Sequence, residues 1–127
     1  MMKIVPCKLF DNVPFGSFPT ANTLYVPNQL CDARQALAAT IYVTSTLDQA
    51  VNLQVVGNDT NDPSSDVSPV FIGGVVLLRA ATPTQRVGLT INLNDHRHQY
   101  LGITVTTRGN APAAGRLDAV AYVWEPK

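Results

Sequence analysis

Charge is what this sequence has least of. Charged residues make up 14% of the 127 positions, against about 25% in a typical domain. Nine basic side chains cancel nine acidic ones, so there is no basic excess of the kind that marks a nucleic-acid binder, and no acidic excess to hold a tail disordered. Glutamate occurs once, at Glu125, and lysine only at Lys3, Lys8 and Lys127, with six arginines between. A surface without net charge gives up the like-charge repulsion that keeps proteins apart. Interfaces also deplete Lys and Glu in favour of Arg and aromatic residues. The composition therefore predicts a chain that assembles, as a homo-oligomer.

Long apolar runs are missing too. The longest, around Val75-Val76-Leu77-Leu78, is broken by Gly73-Gly74 and stopped by Arg79, far short of the ~20 residues of a membrane-spanning helix. No membrane partner is expected. The opening Met1-Met2-Lys3-Ile4-Val5-Pro6-Cys7-Lys8 has charge but neither an apolar core nor a small-residue cleavage site, which predicts synthesis in the cytoplasm of a host. There are only two cysteines, Cys7 and Cys31. At that spacing, in a reducing cytosol, they are expected to be buried free thiols.

Helical periodicity is absent over three turns anywhere in the chain. What is present is period two. Ile41 and Val43 alternate with Thr40, Tyr42 and Thr44; Val51, Leu53 and Val55 with Asn52 and Gln54; Val87, Leu89, Ile91 and Leu93 with Gly88, Thr90 and Asn92. Leu101, Ile103 and Val105 alternate with Gly102, Thr104 and Thr106, and Leu117, Ala119, Ala121 and Val123 with Val120, Tyr122 and Trp124. Short alternating strands separated by turn signals predict an all-β fold, an antiparallel β-sandwich, with a core of Ile41, Val43, Leu53, Val55, Leu89, Ile91, Leu101, Ile103, Val105 and Val123. The four residues Thr46-Leu47-Asp48-Gln49 between two such runs predict a hairpin. Residues 1–30 differ: four prolines (Pro6, Pro14, Pro19, Pro27) and three phenylalanines fall there. Proline denies ladder hydrogen bonds, so residues 1–30 are expected to form an extended proline-rich N-terminal arm with short strands, and residues 31–127 the β-sandwich domain.

Chemistry finds little to use. His96-Arg97-His98 has the spacing of two metal ligands on a strand, but it sits in a turn signal with a competing cation. Asp59, Asp62 and Asp66 lack the ligand order of a calcium loop. There is no nucleophile elbow and no histidine elsewhere for a triad. The chain is expected to have no catalytic residue, metal site or cofactor, and not to be an enzyme. The aromatic residues remain. Phe10, Phe15 and Phe18 either plug the open end of the sandwich or bury into another subunit; Tyr42, Tyr100, Tyr122 and Trp124 fall opposite the aliphatic rows of their strands and either pack a second core layer or anchor a partner. Of these, Phe10, Phe15, Phe18, Tyr100, Tyr122 and Trp124 are the six candidate partner-binding residues.

The second half of the chain resembles a known family. Tyr100-Leu101-Gly102-Ile103-Thr104-Val105, the small-residue loop Gly109–Gly115 and the strand from Arg116-Leu117-Asp118-Ala119 are similar to the closing "YLRIxYxV" strand, loop and "AGxLxA" strand of the capsid cement, or decoration, proteins of tailed bacteriophages. The run Val51-Asn52-Leu53-Gln54-Val55 is similar to that family's central hairpin. The resemblance implies a jelly-roll-like sandwich in the virion, bound to the capsid exterior, with the major capsid protein as partner. Two other readings stand beside it: another phage structural part, such as a tail or head-completion protein, and a carbohydrate-binding β-sandwich using Tyr100, Tyr122 and Asp118.

Overall fold

The computed structural model describes residues 2–27, 29–59, 70–81, 84–93 and 99–126. Its strands are β1 (Met2–Pro14), β2 (Leu24–Tyr25), β3 (Cys31–Asp32), β4 (Ala38–Ser45), β5 (Val51–Asn58), β6 (Val70–Leu78), β7 (Gln85–Asn92), β8 (Tyr100–Thr107) and β9 (Arg116–Pro126). They form two antiparallel sheets. The first runs β1-β9-β4-β7; the second runs β2-β8-β5-β6, with β3 also pairing with β8. The period-two pattern turns one set of side chains inward from each sheet. In β9, Leu117, Ala119, Ala121 and Val123 are buried, while Trp124 on the other face is exposed.

Nine of the ten expected core residues are buried; Leu89 is only partly covered and packs against the core from its rim. β7 closes an edge of the first sheet, so its inward side chains have neighbours on one side only. Ile103→Ala, at the centre of β8, should therefore cost about 3–4 kcal/mol and Leu89→Ala roughly half of that in urea unfolding. Equal losses would contradict the open rim. Thr104, expected to face solvent, is buried, and its hydroxyl donates to the Gln54 carbonyl at 3.3 Å. Nearby on the same strand, a Cβ at Gly102 would stand 2.5 Å from Leu30 Cδ2. The chain around Pro27 and Leu30 lies over the outer face of β8.

The expected hairpin at Thr46-Leu47-Asp48-Gln49 is corrected by the pairing. β4 belongs to the first sheet and β5 to the second, so the connection carries the chain across the sandwich. Leu47 is fully buried in it. The Leu47 amide donates to Ser45 Oγ at 3.1 Å, and Asp48 Oδ1 accepts the Ala113 and Ala114 amides at 2.8 and 3.3 Å. Two alternating runs joined by four residues look the same in sequence whether the chain folds back or changes sheets.

The N-terminal arm is corrected as well. Residues 2–14 form one 13-residue strand, paired with β9 from Met2↔Pro126 to Pro14↔Arg116. Proline is tolerated because β1 is an edge strand, with one side free of ladder partners. Register shifts between Lys8 and Phe10 and between Phe10 and Val13 let the successive residues Leu9 and Phe10 both turn inward, as β-bulges do.

The cysteines are the third correction. Cys7 and Cys31 form a disulfide, with Cα atoms 5.9 Å apart. Distance in sequence does not measure distance in the fold: β1 ends the first sheet, and β3 lies at the matching side of the second. Closing a loop over a separation of 24 residues stabilises a domain by about 3 kcal/mol in the chain-entropy account. A reductant should lower the unfolding free energy of the parent, read from denaturant curves, by that amount and leave the Cys7→Ser, Cys31→Ser variant unmoved. A parent insensitive to reductant would show that the bond does not support the fold.

Candidate partner-binding surface

The alternation that fills the core leaves a second set of side chains on the outer face of the first sheet. Register places them in rows. Ile4 lies beside Trp124, which lies beside Ala38; Pro6 beside Tyr122, beside Thr40; Lys8 beside Val120, beside Tyr42, beside Gly88. Ile4, Tyr42 and Trp124 are 51%, 52% and 37% exposed. The Tyr42 and Tyr122 rings meet edge to face with centroids 5.8 Å apart. Gly88 makes room for Tyr42: a Cβ there would stand 3.2 Å from Tyr42 Cε1. Beyond that ring, Tyr42, Val43, Thr44, Arg86, Val87 and Gly88 line a shallow hollow of about 410 Å³.

Charge enters this face only at one end. Lys8 Nζ donates to Asp118 Oδ1 at 2.9 Å, and the Asn12 amide donates to the same oxygen at 3.1 Å. The hydrogen bond to Asp118 raises the Lys8 pKa above its ordinary value. Opposite Thr44 stands Arg86. The rest of the face is apolar, aromatic or hydroxyl-bearing, apart from the Asn92 amide opposite Ala38. Large exposed apolar area of this kind marks contact surfaces, and Tyr and Trp dominate such surfaces because they offer area at little entropic cost.

The six candidate residues do not come together. Tyr122 and Trp124 share the face just described. Tyr100 is on β8 in the other sheet, half-buried, with the Arg34 guanidinium 5.6 Å from its ring centre. Arg34 is itself held by Asp32 at 2.7 Å, which lowers the Asp32 pKa. Phe10 and Phe18 are corrected outright as partner anchors. They are 3% and 1% exposed, their rings tilted against each other with centroids 6.2 Å apart, and the Tyr25 ring lies 5.2 Å from that of Phe18. They belong to the chain's own core. Phe15 is exposed on the short 3-10 turn Phe15–Ser17, where its amide donates to the Gly115 carbonyl at 2.9 Å. The sugar platform of Tyr100, Tyr122 and Asp118 does not assemble, since Tyr100 and Tyr122 lie in opposite sheets. Sequence reasoning passed over Ile4 and Pro6, and it read Tyr42 as opposite its aliphatic row without placing it among the six candidates. Their side of the strand was readable from alternation, but not that β4 and β1 flank β9.

His96, Arg97 and His98, with Asp62 and Asp66, lie outside the described residues; among the described residues no cluster of metal-ligating side chains occurs. No helix there is long and apolar enough to cross a membrane.

No family model matches the chain, and no curated protein matches it in sequence. Solved structures do match in fold. XepA, an exported protein of PBSX, is similar over 100% of this chain with a TM-score of 0.55 and 11% identity. The VP2 subviral particle of infectious bursal disease virus is similar over 98% with a TM-score of 0.60 and 8% identity. The T13 particle of that virus gives 0.60 and 12% over 98%. The likeness is one of fold. The chain is a β-sandwich of the kind found in these three proteins. It spans 38%, 32% and 31% of the length of the three proteins, in that order.

Proposed function

We propose that this chain is a structural protein of a virus particle, a jelly-roll domain that binds the outer surface of a bacteriophage capsid and cements neighbouring major capsid subunits. The observation that carries the reading is the neutral aromatic face of Ile4, Tyr42, Tyr122 and Trp124, presented by a rigid four-stranded sheet. The sheet orders β1-β9-β4-β7 and β2-β8-β5-β6 support the jelly-roll reading, an architecture common in capsid proteins. The resemblance of the Tyr100–Ala119 region to cement proteins supports the same reading. The disulfide is in keeping with a place on the outside of the particle, since such bonds persist on virion surfaces and not in reducing cytosol.

The work asked of such a protein is contact rather than catalysis. A domain that binds only the assembled shell stabilises it by mass action, RT ln(1 + [L]/Kd) at each site, repeated over many sites. It needs no cofactor and no nucleic-acid contact. The test is co-sedimentation of the purified chain with capsid shells. The parent is expected to bind, and Tyr42→Ala, Trp124→Ala to lose binding at least about tenfold without losing stability, as truncation of aromatic anchors does. Undiminished binding by that variant would remove this face from the reading. Binding to tails or connectors instead of shells would favour a tail or head-completion part.

A further inference from the structure

The sandwich has two unlike flanks. On one, the disulfide ties β1 to β3, and Phe10, Phe18 and Tyr25 fill the space between the sheets. On the other, β7 and β6 end the two sheets, with no strand beyond either among the described residues. A cleft of about 360 Å³ opens between them, with Ile72, Val76, Leu89 and Ile91 in its walls. Of these, Val76 and Leu89 face the core yet are only partly covered. This flank is where the core is left incomplete.

The edges are also unequally guarded. Natural sheets blunt exposed edges with prolines, charges or shortness. β1 carries Pro6, Pro14, Lys3 and Lys8; β7 carries Arg86; β2 and β3 are two residues long. β6 has neither a proline nor a charge from Val70 to Leu78. It exposes Phe71, Val75 and Leu77 by 48%, 58% and 49%. A bulge at Gly73-Gly74, where Gly73 has φ +74°, bends the middle of the strand. Beyond it, Val76–Leu78 resumes regular pairing with Leu53, Asn52 and Val51.

We infer that the β6 edge is a self-association site, at which a second copy of this chain continues the second sheet about a two-fold axis. A bare strand edge calls for another strand, because backbone donors and acceptors in alternation are what it offers. The lack of charge selects the strand. Two copies of β6 meet with no like charges to oppose each other and no lone charge to desolvate, whereas β1 or β7 would bring lysine or arginine to the contact. A two-fold axis at Val76 sets Val75 beside the partner subunit's Leu77 on the outer face and keeps the two inward valines together, so every side chain stays on its own face, as pairing register requires. The straight run is only about 10 Å long, and it alone falls short of the ~800 Å² per copy of a standard interface. The contact therefore takes in the mouth of the cleft at Leu89, and a micromolar dimer is expected.

This site is distinct from the aromatic face, and the two are tested apart. Sedimentation equilibrium of the full chain from about 1 to 200 µM brackets a dissociation constant in the micromolar range. A dimer is expected, weakened at least tenfold by Val75→Lys or Leu77→Lys, with melting temperatures of the monomers, read below the dissociation constant, unchanged because both positions are exposed. Tyr42→Lys should leave it intact. A monomer at every concentration would overturn the inference, and so would a dimer that survives both lysine variants or is broken by Tyr42→Lys. Loss of shell binding in Val75→Lys with a monomeric parent would also overturn it, giving the edge to a foreign strand.

Discussion

A chain lacking residues 1–20 is expected to be unfolded at room temperature, with no cooperative melting transition by circular dichroism. The deletion takes away β1, the longest strand of the first sheet, and with it the disulfide to Cys31. It also removes Leu9, Phe10 and Phe18, all buried in the central cluster. Three side chains of that size contribute about 5–9 kcal/mol by burial alone, which matches the whole net stability of about 5–15 kcal/mol of an ordinary domain. What would remain is β9 as an 11-residue edge stripped of its partner strand, and a core open along the flank that β1 had closed. Aggregation is the expected fate. An arm lying outside the sandwich would predict the opposite: a truncated chain that melts cooperatively near the parent temperature and loses only its binding to a partner. Observing that would return Phe10 and Phe18 to the list of anchors and sink the account of the core given above.

That contrast shows where a sequence is readable and where it stops. Alternation located β4, β5, β7, β8 and β9 and the direction of nearly every side chain in them, because period two is a property of the strand itself. Which strand lies beside which is a property of the sheet, and alternation is silent on it. So the hairpin at Thr46–Gln49 was misread, and Tyr42 went unrecognised as the neighbour of β9. The prolines of the first segment gave a true signal, that no central strand runs there, but an edge strand satisfies the same rule. The cysteine pair fell to the same limit: only the fold brings β1 and β3 within 5.9 Å at Cys7 and Cys31. Of the candidate surface, Tyr42, Tyr122 and Trp124 were visible as aromatic residues opposite the aliphatic rows of their strands. Phe10 and Phe18 were not separable from Phe15, because a bulge turns Phe10 inward and the 3-10 turn Phe15–Ser17 sets Phe15 and Phe18 in different directions.

Gly115→Ala is expected to be the most damaging single substitution in the loop between β8 and β9, costing at least about 3 kcal/mol. Gly115 has φ +98°, a conformation that costs a side-chain-bearing residue about 1–3 kcal/mol. The space is closed as well. A Cβ there would overlap the Thr46 carbonyl group and stand 2.7 Å from Leu47 Cα, and backbone cannot rotate away as a side chain can. Relief would need the loop to lift from the β4–β5 crossing. That movement would strain the bonds that hold the two together: Thr46 amide to Arg116 carbonyl at 2.9 Å, Asp48 amide to Ala114 carbonyl at 3.1 Å, and Arg116 amide to Thr46 Oγ1 at 2.9 Å. It would also loosen Leu47, which is fully buried. Gly109, at the other end of the same loop, has nothing within 4 Å of its would-be Cβ, so Gly109→Ala should change stability by less than about 0.5 kcal/mol, as open surface positions do. Urea unfolding of the two variants side by side measures the difference. Equal midpoints would mean that the close approach of Gly115 to Thr46 does not hold the two crossings together.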